Sequence, residues 1–147
     1  MILSSSSLMD YSALRKLEQA CFGKDAWSFL ELIAVLSYPE VTRLKAVEEN
    51  QMVGFIAGDP RPSEGWAWIA TLAVEPRFQR RGIARALLRA CEKKLNLPKI
   101  RLTVRMSNLA AIALYESEGY RSTDVWKRYY RDGEDGKIME KHLPVSE

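Results

Sequence analysis

A chain of 147 residues with 47% hydrophobic and 28% charged residues has the size and balance of one soluble globular domain, and no apolar run approaches a membrane span. A net charge of +3 is too mild to imply a nucleic-acid partner by itself, so the placement of the arginines says more than their sum. Cys21 and Cys91 fall in helical stretches and read as small buried apolar residues, and the N terminus lacks the basic and long apolar regions of a secretory signal, so a single domain over residues 1–147 resident in the cytoplasm is expected.

The first helix is expected over residues 8–22, where Leu14, Leu17 and Cys21 fall at helical spacing after a serine run able to cap it. Ser28 and Glu31 have the spacing of a capping box ahead of Leu32, Ile33, Val35 and Leu36, which predicts a short second helix stopped before Pro39. Trp27 and Phe29 sit near its start. Residues 41–48 and 52–58 read as two strands joined by Glu49-Asn50-Gln51, followed by a turn-rich stretch over 59–65. A strand over 67–74, a helix over 82–95, a strand over 100–104 and a helix over 108–118 ended by Gly119 come next. A hairpin of 120–130 and 137–142 around Asp132-Gly133 closes the chain. This order predicts an α/β fold, a mixed sheet covered by helices with antiparallel ends and one parallel crossover.

The stretch Gln79-Arg80-Arg81-Gly82-Ile83-Ala84 links the strand ending at Val74 to the third helix. A helix start already presents unpaired N–H groups and roughly half a positive charge, so cations are disfavoured there. Yet Arg77, Arg80, Arg81, Arg85 and Arg89 gather around it. An anion such as a diphosphate relieves that repulsion, and Gly82 lets the backbone approach it. A solvated basic face would look similar from these residues alone. The loop is neither a P-loop nor Gly-x-Gly-x-x-Gly, which disfavours nucleoside triphosphates and dinucleotides.

Val74-x4-Gln79-x-x-Gly82-x-Ala84 resembles the coenzyme A signature of the GCN5-related N-acetyltransferase (GNAT) superfamily, and residues 108–120, from Asn108 through Tyr115 to Tyr120, resemble its next motif. The chain looks most like the superfamily members that acetylate ribosomal-protein alanine and other protein N termini. The stretch from Tyr129 and Tyr130 to Met139 is also similar to them. The resemblance implies a mostly antiparallel mixed sheet of about six to seven strands flanked by four helices, with a central parallel pair splayed to admit coenzyme A. It implies acetyl-CoA as co-substrate and no metal. Backbone groups of Leu72, Ala73 and Val74 would pair with the pantetheine amides. The diphosphate would rest on Arg80, Arg81, Gly82, Ile83 and Ala84, with Gln79 in the same signature. Asn108 would hydrogen-bond the cofactor, although its residue type equally suits a helix N-cap.

Direct acyl transfer needs a neutral amine, a stabilised oxyanion and a proton for the departing thiolate. The resemblance assigns the proton to Tyr115, which residue pattern alone would make a half-buried core tyrosine beside Ile112. A backbone N–H near Val74 is the expected oxyanion donor. Where the related alanine acetyltransferases carry a glutamate as general base, this chain has Thr103, which cannot take that proton. Glu31, Glu40, Glu75 and Asp135 are other carboxylates, and a water chain is an equal alternative. Trp27, Tyr129 and Tyr130 are the candidate acceptor-binding residues, with Asp132, Glu134 and Asp135 near a cationic amine. An ordinary soluble hairpin would look the same. His142 reads as a strand-surface residue.

The implied activity is acetyl transfer to a primary amine, foremost a protein or peptide N-terminal α-amine, with a lysine or small-molecule amine as the alternative acceptor. A non-catalytic coenzyme A binder is a further alternative, given Thr103. A nucleic-acid partner is not expected, because no aromatic stacking platform or nucleic-acid motif accompanies the basic helix. The expected assembly is a monomer or homodimer.

Overall fold

The serine run at the start is partly a strand rather than wholly a helix cap. In the computed structural model, which describes residues 1–145, Ile2–Ser5 forms β1 and pairs antiparallel with Thr42–Glu48, β2. Ser7 then caps a 3-10 turn at Leu8–Asp10, closing a capping box with Asp10, and α1 follows over Tyr11–Phe22. The Ser28–Glu31 box forms as the spacing requires: the Ser28 N–H donates to Glu31 at 2.9 Å and the Glu31 N–H to Ser28 at 3.3 Å. It opens α2, Phe29–Ser37.

β2 turns into β3, Gln51–Arg61, through Glu49 and Asn50, both at positive φ. β3 runs beyond the expected residue 58 and carries Pro60 close to its end, where a missing N–H is tolerated. β4 covers Trp66–Val74, α3 Ile83–Leu95, β5 Lys99–Arg105, α4 Leu109–Ser117, β6 Arg121–Trp126 and β7 Gly136–His142. The closing strand β6 stops short of the expected residue 130. Residues 127–135 form the connection instead, because Asp132, Glu134 and Asp135 spend their carboxylates on nearby side chains and backbone N–H groups rather than leaving a strand ladder. Among the described residues seven strands form one sheet in the order β1-β2-β3-β4-β5-β7-β6. β4 and β5 run parallel with a register of Trp66–Trp68 against Lys99–Arg101, whereas β4 continues to Val74 and β5 to Arg105.

The chain divides into two compact units. The first, Met1–Pro60 with Ala70–Leu95, has a core of Leu14, Leu17, Leu32, Val35, Leu36, Phe55, Ala57 and Ala73. On its other face α3 lies so close to β3 that a Cβ on Gly54 would meet Leu87 at 2.9 Å. The buried stripe of α3, Ile83, Leu87, Leu88, Cys91 and Leu95, follows the helical period.

The second unit, Arg61–Ile69 with the chain from Asn96 onward, buries Ile100, Leu102, Val104, Ile112, Tyr120 and Met139. Its strands and the 127–135 connection also carry a continuous aromatic row that the sequence alone does not reveal. Trp66 and Trp68 meet edge to face at 5.2 Å, Trp68 meets Trp126 at 5.8 Å, and Trp126 meets Tyr129 at 5.4 Å. Alternation along β4 puts Trp66 and Trp68 on one face, and Trp126, at the end of β6, reaches Trp68 across the intervening β5 and β7.

Candidate active site

In the first unit, β4 ends in Leu72, Ala73 and Val74, of which Ala73 and Val74 are buried and Leu72 is half-buried. The Val74 carbonyl accepts two side-chain hydrogen bonds, from the Gln79 amide at 3.1 Å and from the Cys21 thiol at 3.1 Å. The intervening turn starts at Glu75, whose carboxylate accepts the Arg77 N–H at 3.1 Å and caps the 3-10 turn Pro76–Phe78. Glu75 also pairs with the Arg77 guanidinium at 3.0 Å, so one member of the arginine cluster is neutralised locally. Arg81 lies over the Phe78 ring at 4.8 Å.

Arg80 takes φ +65° and Gly82 φ +83°, and a Cβ at Gly82 would meet nothing within 4 Å. The Gly82 carbonyl accepts the Ala86 N–H at 3.0 Å, which makes Gly82 the residue from which α3 departs. Arg80, Arg81 and Gly82 are exposed. The result is an exposed loop of left-handed turns feeding a helix start with open space at its glycine. That is the form a diphosphate cradle takes, so the residues fit the co-substrate the motif implies. The first unit also has an open groove of about 890 Å³ beside α1, reaching Asn50, Glu75 and Arg77, but residues 80–84 do not line it.

Trp27 lies in the connection from α1 to α2 and packs, half-buried, against the first-unit core. Below it is a residue that sequence reasoning passed over. Glu18 of α1 is only 1% exposed, and its Oε2 accepts the Thr71 hydroxyl of β4 at 2.9 Å. Burial pushes the Glu18 carboxyl above its ordinary value, opposed by hydrogen bonds from Thr71 and the Trp27 backbone. A signal existed: Glu18 lies four residues after Leu14 and three before Cys21, on the apolar stripe of the helix. Burial likewise lifts the Cys21 thiol to about 11 and the Cys91 thiol to about 12, so neither is an activated nucleophile. Of the other carboxylates considered, Glu31 caps α2, Glu75 holds Arg77, and Glu40 is exposed.

In the second unit, Asn108 is the N-cap of α4, its side chain accepting the Ala111 N–H at 3.2 Å. Tyr115, on the buried side of α4, is 9% exposed, and its ring lies 5.9 Å from that of Tyr120. The Tyr115 carbonyl accepts the Tyr120 N–H at 2.9 Å, so backbone and ring are both fixed. Burial raises the phenol to about 12. Thr103 is half-buried in β5 and pairs across to Ile138.

Tyr129 is exposed and meets Tyr130 edge to face at 5.0 Å. Tyr130 in turn covers the Arg105 guanidinium at 4.2 Å. The acidic turn is engaged: Arg105 bonds Asp132 at 3.0 Å and Glu134 at 2.7 Å, and Asp135 bonds Lys127 at 3.1 Å and the Arg128 N–H at 3.0 Å. Hydrogen bonds from Ser107 and Arg105 hold the Glu134 carboxyl below its usual range, and the Arg128 N–H and Lys127 do so for Asp135. These carboxylates are held as ions and are poor proton acceptors. His142 is exposed and pairs with Glu140 at 3.0 Å. Among the described residues no group of three or more His, Cys, Asp or Glu is arranged to hold a metal, and no helix is long and apolar enough to cross a membrane.

Comparison with known proteins agrees with this geometry. Residues 11–120 match the acetyltransferase (GNAT) family. An N-alpha-acetyltransferase of Saccharolobus solfataricus is 36% identical over 114 residues, 67% of each chain. The [ribosomal protein bS18]-alanine N-acetyltransferase of Salmonella typhimurium is 38% identical over 109 residues, 70% of this chain and 71% of its own. The crystal structure of the ribosomal-protein-S18-alanine N-acetyltransferase from Escherichia coli superposes with a TM-score of 0.89 at 29% identity, covering 99% of this chain and 96% of that one. The seven-stranded mixed sheet, its four α-helices and the glycine-bearing helix start thus belong together: the chain is a member of the GNAT acetyltransferase family, an N-acetyltransferase with acetyl-CoA as its co-substrate.

Proposed function

We propose that this protein, acting as a single acetyltransferase domain, transfers acetyl directly from acetyl-CoA to the α-amine of a protein or peptide N terminus. The observation that carries the choice of acceptor is Thr103, a side chain unable to act as base in the strand where the related enzymes place a glutamate. At pH 7 a free α-amine with pKa near 8 costs about 1.4 kcal/mol to deprotonate and a lysine near 10.4 roughly 4.6 kcal/mol. Weak base assistance therefore selects α-amines. The names of the relatives, an N-alpha-acetyltransferase and ribosomal-protein alanine acetyltransferases, support the same class.

Bound acetyl-CoA supplies a thioester. In this reading the N–H groups of residues 80–84 and their arginines hold the diphosphate, and the backbone of Leu72, Ala73 and Val74 pairs with pantetheine. A backbone N–H near Val74 stabilises the oxyanion. The neutral amine nitrogen bonds to the acetyl carbon, the C–S bond breaks to release coenzyme A as its thiolate, and the amine's surplus proton passes through solvent to that thiolate. Tyr115 acts on the departing sulfur. With the phenol near 12 it keeps its proton at neutral pH. Against a thiol near 8.5, full transfer is uphill by roughly 5 kcal/mol, so the hydroxyl serves the sulfur chiefly as a hydrogen-bond donor. Trp27 in the first unit, and Tyr129 and Tyr130 in the second, are each assigned to acceptor binding. Two free thiols suit a reducing cytoplasm.

The test is turnover of acetyl-CoA with paired peptides, one with a free N terminus and blocked lysine, the other the reverse. Acetylation of the free N terminus is expected. Turnover confined to lysine or to small amines refutes the acceptor assignment, and tight acetyl-CoA binding with no turnover on any amine refutes the enzyme.

A further inference from the structure

We propose that Glu18 is a positioning residue for the acceptor amine, its buried carboxylate joining the Trp27 connection to Thr71 on the strand that leads into Leu72–Val74. This inference rests on the acceptor reading above. The joint lies within one unit of the chain. Oε2 of Glu18 accepts the Thr71 hydroxyl at 2.9 Å, the Trp27 backbone N–H also bonds the carboxylate, and Oε1 is buried without a hydrogen-bond partner. Thr71 is itself buried, one residue ahead of the stretch assigned to pantetheine. Trp27 immediately precedes the capping box that starts α2.

A carboxylate here is a poor choice for stability. Glu18 sits beside Leu14 and Leu17 of the first-unit core, where an aliphatic side chain would pack without loss. Burying an acid with one oxygen unmatched is unfavourable, and the raised carboxyl value is the same penalty seen from the proton's side. What the carboxylate adds, and a leucine could not, is a simultaneous bond to a strand hydroxyl and to a loop N–H. Those bonds fix where the Trp27 wall stands relative to β4. A displacement of about 1 Å in such a wall is enough to lower turnover about a hundredfold. Glu18 is too deeply buried to meet the amine, so it acts through Trp27 and Thr71.

The role separates from general-base catalysis by one substitution. Glu18→Gln keeps an oxygen to accept these bonds and has no basic oxygen to offer, whereas Glu18→Ala keeps neither. With the best peptide of the paired panel, Glu18→Ala should raise acceptor KM at least about tenfold while acetyl-CoA Kd stays within about twofold, and Glu18→Gln should restore KM to within about threefold of the parent. Thr71→Val, nearly isosteric, should raise acceptor KM in the same direction and serves if the alanine variant does not fold. Unchanged KM in both Glu18→Ala and Thr71→Val overturns the proposal. So does a Glu18→Gln variant as impaired in kcat as Glu18→Ala, since the charge itself would then be at work. If the parent acetylates no peptide, the acceptor reading fails separately, and amide exchange at Trp27 decides the joint: faster exchange in Thr71→Val and Glu18→Ala but not in Glu18→Gln supports it, and equal exchange in all overturns it.

Discussion

The Gln79 side-chain amide stands 3.1 Å from the Val74 carbonyl, bridging the turn that carries β4 into α3. This bond spans Glu75–Phe78 and sets the distance between the strand end and the glycine loop. A neutral hydrogen bond of this kind contributes about 1 kcal/mol. Gln79→Ala should therefore weaken acetyl-CoA binding roughly fivefold with little change in melting temperature, as read by calorimetric titration. Unaltered affinity would show that the loop keeps its form without the bridge.

Gly82 presents a different kind of requirement. Space is open around it, so a side chain would not clash; the difficulty is φ +83°, a region that β-branched residues avoid. Gly82→Val is expected to reorient the N–H groups at the start of α3 and to weaken acetyl-CoA binding at least about tenfold. Gly82→Ala should fall between the two. Equal affinity in all three, with the fold intact by circular dichroism, would remove the diphosphate from this loop.

Tyr115→Phe leaves the ring against Tyr120 and deletes only the hydroxyl. If that hydroxyl donates to the sulfur, kcat should drop by about 10²- to 10³-fold while acetyl-CoA affinity is nearly unchanged. Because burial holds the phenol near 12, kcat of the parent should show no loss from Tyr115 ionisation below about pH 10. A folded Phe variant with full activity ends the role.

With Thr103 in place of a basic side chain, the acceptor's own ionisation should be visible in the rate. We expect kcat/KM for an α-amine peptide to rise with pH toward a value near 8, and to exceed that for a matched lysine peptide by more than about a hundredfold at pH 7 before binding preferences are counted. Thr103→Glu should flatten the rise. Efficient lysine acetylation at pH 7, with an enzyme group titrating near neutrality, would reveal a base other than residue 103.

Glu18 also predicts a stability signature. Its folded value is raised above the ordinary 4.5, so the folded state holds that proton more tightly than the unfolded chain does. The stabilisation is fully present below the unfolded value and is lost as pH rises through the folded one. The melting temperature of Glu18→Gln relative to the parent should therefore climb as pH increases from about 4 into the neutral range. A difference independent of pH would contradict the raised carboxyl.

Much of the architecture was legible because its signals are local. The Ser28–Glu31 box, the stripe of α3 and the stop at Gly119 follow from periodicity and capping, and each appears where the spacing puts it. β1 was not, since Ile2–Ser5 is four residues of an edge strand whose serines look like cap residues. The length of β3 was hidden by Pro60. Motif spacing picked out the glycine loop and Tyr115, but Glu18 became conspicuous only once Thr71 was found opposite it, 53 residues along the chain. The aromatic row has the same origin, for Trp68 and Trp126 meet through a sheet rather than through sequence spacing.

The turn at 132–135 bears on the proposed acceptor side of the site. Asp132 and Glu134 grip Arg105, and Asp135 takes Lys127 together with the Arg128 N–H. Two cations outside the turn, Arg105 and Lys127, thus offset much of its negative charge before any ammonium approaches. A field so closed on itself attracts little from beyond a Debye length of about 8 Å at physiological ionic strength. If the acceptor enters beside this turn, its capture should depend on diffusion and fit more than on long-range steering, and should change little with added salt.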